Sequence, residues 1–436
     1  MTVDRPPARP GGPPGTGPGA VTSLVVVGAG LAGAQTVTAA RAQGFTGRIT
    51  LLGAEGTEPY DRPPLSKELL SRTSPAWLRD ELGTDLAAAD DVRLDDPATG
   101  LEVRPDGVVV RTATGTVQAD AAVLGTGSFP VLPAGWSALT LHTAADATRL
   151  RDRLRPDARL VVVGAGWVGA EVAGVAAAAG VRVTVVEAAT APLSGALGAQ
   201  VGALTLPWYS AAGVRLLTDA RVARVEDHAV TLADGSVLPA DVVLVAVGAR
   251  PASDWLAGAL PLLPDGSLAV DAVHGVPGTH GRVAAVGDLA RRDSPRHGPV
   301  PGGHWDGALR GPATAVAALL AGPRPAGRPP AGGTLPGAAV VDDPAPYVFS
   351  TQLGHDLALL GRPGPRDEVV LRGTPGAGGW TALWFADGDT LTAVLAVDRP
   401  RDVGPARRLF TGPRLPRLDR RGAADPTVPL RVAALG

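Results

Sequence analysis

The stretch that decides the fold runs from Ser23 to Glu55 and reads SLVVVGAGLAGAQTVTAARAQGFTGRITLLGAE. It opens on the apolar run Leu24-Val25-Val26-Val27, the pattern of a strand buried on both faces. A glycine-rich turn follows, then an alanine-rich segment suited to a helix, then a second apolar strand ending at Glu55. Strand, turn, helix and strand in that order make a βαβ unit.

Within the turn, Gly28-Ala29-Gly30-Leu31-Ala32-Gly33 matches G-x-G-x-x-G. Gly28 permits the tight turn, Gly30 lets the backbone approach a pyrophosphate, and Gly33 lets the helix pack close to the strand. The first helical residues, Leu31 and Ala32, then offer free N–H groups at the positive end of the helix dipole. Glu55 stands where a carboxylate accepts both hydroxyls of an adenosine ribose.

Farther along, LVVVGAGWVGAEVAGVAAAAGVRVTVVEA repeats the pattern from Leu160 to Ala188. Its turn is Gly164-Ala165-Gly166-Trp167-Val168-Gly169 and its terminal acid is Glu187. A single glycine motif is weak in a chain with 58 glycines. Two copies, each with strand, helix and terminal acid in order, predict two dinucleotide-binding units. Glu187 would repel the 2′-phosphate of NADP and bond the free 2′-hydroxyl of NAD. Ala188, Ala189 and Thr190 follow it, with no adjacent arginine, so NADH is favoured over NADPH.

Each unit is followed by short alternating segments that read as an antiparallel meander, from Asp91 to Gln118 and from Val222 to Val237. Each meander leads to another buried strand, AAVLGTG at Ala121 and DVVLVAVGARP at Asp241. Gly248 in the second is placed among the cofactor-binding residues. Gly125-Thr126-Gly127 in the first reads either as a cofactor contact or as a plain turn. A third buried strand, RVAAVGDLA, is expected from Arg282 to Ala290. Its Gly287-Asp288 either holds a polyol chain, such as the ribityl of a flavin, or serves as an ordinary helix cap. A helix is expected over Trp305 to Leu320, then a Pro/Gly-rich linker over Gly322 to Gly337. The arginine-rich end, Arg399 to Arg421, reads as solvated surface or tail.

The expected fold class is α/β, with two Rossmann-like domains and a small C-terminal α+β domain. The boundaries read as a disordered tail over 1–21, a discontinuous FAD domain over 22–132 and 258–333, an NAD(H) domain over 133–257 and a reductase domain over 334–436.

Composition narrows the chemistry. With a net charge of -2 the chain lacks the basic excess of a nucleic-acid binder. The absence of cysteine removes disulfide exchange, iron–sulfur ligation and thiolate catalysis, and no metal site is expected. No apolar run approaches the roughly 20 residues that span a bilayer, and the proline-rich N-terminus has no signal-peptide core. A cytoplasmic protein is expected. Lys67 is the only lysine, all other cationic side chains of its class being arginine. A compact ammonium is therefore expected to matter at that position.

Together these pieces resemble the ferredoxin reductase-like branch of the two-dinucleotide-domain flavoproteins, the group of putidaredoxin reductase, rubredoxin reductase and the reductase components of aromatic-ring dioxygenases. The resemblance covers Leu24 to Leu409. Its most specific segment is Pro59-Tyr60-Asp61-Arg62-Pro63-Pro64-Leu65-Ser66-Lys67. By resemblance, Arg62 and Lys67 lie along FAD, with Lys67 close to the isoalloxazine, where a cation stabilises negative charge. The resemblance likewise assigns Thr126, Gly127, Asp288 and Trp305 to FAD, and places Glu171 against the nicotinamide. The chain departs from the family pattern at Gly303, where many members have Glu, and at Phe349-Ser350-Thr351-Gln352, where the usual segment is W-S-D-Q.

The implied activity is hydride transfer from NADH to FAD, aided by Lys67 and Glu171, and then single-electron transfer to an acidic [2Fe-2S] ferredoxin of an oxygenase system. Without cysteines, electrons have to leave directly from the flavin. A flavin enzyme with a small-molecule or O2 acceptor, and a redox-responsive interaction protein, remain as alternatives. The quaternary expectation is a monomer or homodimer. Arg291, Arg292 and Arg296, with the C-terminal arginines, are the candidates for a basic docking face.

Overall fold

The computed structural model describes residues 21–322 and 343–435. The expected tail and linker fall outside these residues, except for Val21 and Gly322. The deciding stretch forms strand β1 (Ser23–Val27), helix α1 (Leu31–Ala42) and strand β2 (Arg48–Leu52). β1 and β2 are parallel, with Val27 opposite Leu52. Gly28 has φ +108°, and a Cβ there would lie 2.2 Å from the Gly125 carbonyl oxygen. A Cβ on Gly33 would lie 1.7 Å from the Gly28 oxygen, so only glycine lets α1 start this close to β1.

After β2 the chain makes a one-turn helix, α2 (Pro64–Lys67), and then strands β3 (Asp91–Arg93) and β4 (Ala121–Leu124). The second unit contributes β5 (Arg159–Val163), α3 (Trp167–Ala178), β6 (Arg182–Val186), β7 (Arg215–Leu217) and β8 (Val242–Val245). The chain then returns to the first sheet through β9 (Val283–Ala285). That sheet is parallel in the order β9-β4-β1-β2-β3, so it is built from two stretches separated by the second unit. The second sheet is parallel in the order β7-β6-β5-β8. Helix α4 (Trp305–Leu320) has the span read from the sequence, and its Ala315, Val316 and Leu319 share a core with Val37 and Ala40 of α1.

Two expectations need correction. Asp91–Arg93 does not belong to the first meander. Its backbone takes the open edge of β2, with Thr50 opposite Asp91, and the antiparallel sheet begins only at Ala98. The segment Arg282 to Ala290 is not one strand. It breaks at Gly287, where φ is +66° and a 3-10 turn begins.

The C-terminal domain is an antiparallel sheet of β10 (Tyr347–Gln352), β11 (His355–Gly361), β12 (Glu368–Arg372), β13 (Trp380–Ala386) and β14 (Thr390–Val397), joined by short strands near the end of the chain. The arginine-rich end is folded rather than a tail. It forms α5 (Pro400–Leu409), which lays Ala406 into the core beside Phe410. Arg399 is buried and bonds Asp402 at 2.8 Å, while Arg401, Arg407 and Arg408 face outward. Among the described residues no helix is long and apolar enough to cross a membrane.

Candidate functional site

Both glycine turns open onto one cavity of about 1500 Å³. A drug-sized ligand needs roughly 300–1,000 Å³, so this cleft has room for two extended cofactors. A Cβ on Gly30 or on Gly166 would meet nothing within 4 Å. The backbone of each turn therefore faces open space, as a pyrophosphate requires. Neither α1 nor α3 has a side-chain cap, so first-turn N–H groups are available to an anion at both. The residues present fit FAD at the first unit and a nicotinamide dinucleotide at the second.

The cavity gathers most of the residues singled out from the sequence. Gly28, Gly30, Leu31, Ala32, Glu55, Arg62, Lys67, Thr126, Gly127, Gly287, Asp288 and Trp305 line its first half. Gly164, Gly166, Trp167, Val168, Glu171, Glu187 and Gly248 line the second. Gly33 and Gly169 do not line it. They lie behind the turns, where each helix approaches its strand.

Arg62 donates to Glu55 at 2.8 Å and to the His142 carbonyl at 2.6 Å. Tyr60 also donates to Glu55. Burial, opposed by Arg62 and reinforced by Glu55, pushes the Tyr60 hydroxyl up to about 12. Thr126 donates to the Ala252 carbonyl at 2.7 Å, where the two chain crossings between the sheets pair, Ser128 opposite Pro251. Asp288 accepts from Ser128 Oγ at 2.8 Å and from the Gly303 N–H at 3.1 Å. It caps no helix: the residue preceding its 3-10 turn is Val286, and its carboxylate lines the cavity. Trp305 donates to Asp61 Oδ1 at 2.6 Å. Burial raises the Asp61 carboxyl above its ordinary value even though that bond opposes the shift.

At the centre, Lys67 at the end of α2 pairs with Glu171 on α3. The carboxylate also accepts from Ser66 on α2 and from Ser350 on β10. One buried acid thus joins the first unit, the second unit and the C-terminal domain. Phe349, beside Ser350, lies with its ring centroid 5.2 Å from Lys67 Nζ and meets Trp305 edge-on at 6.0 Å. Of the two changed positions in this segment, Phe349 lines the cavity and Thr351 does not. Thr351 bonds Asp356 at the surface.

Glu187 accepts from the N–H groups of Ala165 at 2.7 Å and Ala189 at 2.8 Å. Arg221, just before the strand that begins at Val222, lines the cavity with it. Ser66 and Ser350 were missed as functional residues, although both lie inside quoted segments. His304, also missed, lines the cavity with an Nδ1 that has no partner among the described residues, and burial lowers its pKa.

The expected basic face is wrong for Arg292 and Arg296. Their side chains are 10% and 9% exposed and are spent on Asp343, at 2.6 Å and 3.4 Å. Arg296 also donates to the carbonyls of Phe410 and Gly412. These arginines fasten the start of the C-terminal domain. Arg291 lies 3.8 Å from Asp265.

Two dinucleotide cradles on one cavity, closed by a third domain, define a flavoprotein oxidoreductase with two dinucleotide domains. Residues 22–322 match the pyridine nucleotide-disulphide oxidoreductase model, and residues 347–434 match the reductase C-terminal model. The chain belongs to the pyridine nucleotide-disulphide oxidoreductase family. It is 36% identical to the ferredoxin reductase component of a chlorobenzene dioxygenase from Cupriavidus sp. strain PS12, over 89% of this chain and 92% of that one. It is 33% identical to the ferredoxin–NAD(+) reductase component of the anthranilate 1,2-dioxygenase system of Burkholderia cepacia, over 94% and 98%. The crystal structure of a covalent putidaredoxin reductase–putidaredoxin complex superposes with a TM-score of 0.82 at 27% identity, covering 95% of this chain and 98% of that one.

Proposed function

We propose that this protein is an FAD-dependent NADH:ferredoxin oxidoreductase that feeds an oxygenase system. The observation that carries the reading is the pair of dinucleotide cradles on one cavity in a chain without cysteine. Bound FAD supplies hydride acceptance and the release of electrons one at a time. The chain aligns the two ring systems and sets the charge around them. Gly30 and the start of α1 receive the FAD pyrophosphate, and Gly166 and the start of α3 that of NADH. Glu55 and Glu187 take the two adenosine riboses. Lys67 stabilises negative charge at the flavin ring, and Glu171 positions Lys67 and the nicotinamide. Glu187 favours NADH, because its carboxylate would repel a 2′-phosphate and bond a free 2′-hydroxyl.

The partner in this reading is an acidic ferredoxin, which fits relatives named as ferredoxin reductases of dioxygenase systems. The docking cations are those of α5. The Arg407 guanidinium lies 4.1 Å from the Tyr347 ring, which stacks on the cavity-lining Phe349. The cytoplasm and a monomeric or dimeric state complete the proposal. The test is aerobic NADH turnover with and without a plant- or adrenodoxin-type [2Fe-2S] ferredoxin and cytochrome c. Cytochrome reduction that requires the ferredoxin supports the reading. NADH consumption that ignores the ferredoxin and tracks O2 uptake rejects it in favour of a small-molecule acceptor.

A further inference from the structure

We infer that Ser350, oriented by Gln352, is a positioning residue for the Lys67–Glu171 pair, which makes the C-terminal domain part of the hydride-transfer site. The inference rests on the NADH-to-FAD reading above.

Glu171 Oε1 accepts from Lys67 Nζ and from Ser350 Oγ, and Oε2 accepts from Ser66 Oγ. A serine hydroxyl has a single hydrogen to give. Gln352 Nε2 donates to Ser350 Oγ at 3.0 Å, so it occupies an acceptor site and leaves that hydrogen directed at Glu171. Ser350 and Gln352 are each 2% exposed. They are two apart on β10 and so share a face. The strand does not need the hydroxyl, because its pairing to Leu357 is through the backbone. Polar groups this deeply buried are costly unless bonded, and the bond made here is to the acid that holds the chain's only lysine.

The charge balance at Lys67 follows. An ammonium has three hydrogens, and Glu171 takes one of them. With two hydroxyls also serving the carboxylate, Lys67 is not its sole donor, and among the described residues no other acceptor takes its remaining hydrogens, which leaves them to the cavity. Without Ser350, Oε1 has Lys67 alone, and the ammonium is drawn toward α3 and away from the flavin side.

The experiment uses full-length, FAD-loaded protein and the variants Ser350→Ala, Ser350→Thr and Gln352→Met. Two quantities are read: the rate of flavin bleaching by NADH in anaerobic single turnover, across NADH concentrations, and the flavin midpoint potential by dye equilibration without NADH. Ser350→Ala is expected to bleach about tenfold more slowly, the effect of one hydrogen bond to a charged group. Its half-saturating NADH concentration should stay within about twofold, and its midpoint potential should fall. Ser350→Thr, which keeps the hydroxyl, should restore both. A Ser350→Ala protein with wild-type rate and potential overturns the inference, as does a Ser350→Thr protein no better than Ser350→Ala. If Ser350→Ala does not fold, Gln352→Met decides: slower bleaching supports the inference, and wild-type bleaching overturns it. Wild-type protein that NADH fails to bleach rejects the proposed function instead.

Discussion

Replacing Lys67 by methionine isolates what the central ion pair contributes. The side chains of Lys67 and Glu171 are 18% and 4% exposed, so the pair is largely out of water. Removing one member of a buried pair costs about 3–5 kcal/mol, because the other charge is left unpaired. Here Ser66 and Ser350 still donate to Glu171, which places the loss at the lower end, about 3 kcal/mol. Adding Glu171→Gln removes the stranded charge and should recover about 2 kcal/mol of the loss. Urea unfolding of wild type, both single variants and the double variant, followed by tryptophan fluorescence, measures the losses and their coupling. A Lys67→Met deficit below about 1 kcal/mol, or single-variant losses that simply add in the double variant, would refute the buried-pair argument.

The two glycines of the first turn should separate folding from cofactor binding. Gly30→Ala meets no protein atom within 4 Å and should leave the apoprotein's melting temperature unchanged while weakening FAD binding at least tenfold, read by flavin fluorescence titration. Gly33→Ala collides with the Gly28 carbonyl and should destabilise the apoprotein by about 1–3 kcal/mol in urea. Burial, helped by nearby Arg292, holds His274 down at about 4 against an ordinary 6.5. A depressed histidine contributes stability above 6.5 that is lost as pH falls toward about 4. His274→Asn, tolerable at φ +70°, should flatten the acid limb of a stability–pH curve by up to about 3 kcal/mol. Arg407→Glu should raise the ferredoxin KM about tenfold at low salt, with the gap closing at high salt and NADH bleaching unchanged.

The sequence carried the parts of the fold that depend on local pattern. The two glycine turns, the buried valine strands and the span of α4 all follow from short-range chemistry, and the structure places them accordingly. Asp91–Arg93 was misread because a three-residue strand takes its identity from the sheet edge that it meets, not from its own residues. Arg292 and Arg296 read as solvated because their partner, Asp343, lies some 50 positions away, beyond a Pro/Gly-rich stretch. The arginine-rich end hid a helix whose buried residues are Asp402 and Ala406, with Val403 and Leu409 packed against the core beside them. Glu171 was legible by resemblance to the family, but its bonds to Ser66 and Ser350 were not, since no spacing rule links positions 66, 171 and 350.

The central claim is that electrons pass from NADH to the flavin and then to a ferredoxin. Anaerobic stopped-flow absorbance tests it directly, with FAD-loaded protein mixed first with NADH and then with an oxidised [2Fe-2S] ferredoxin. The account predicts fast loss of the flavin band, its return on the second mix, and matching reduction of the ferredoxin. Loss of the flavin band with no reduction of any ferredoxin, or no loss of the band with NADH, would contradict it.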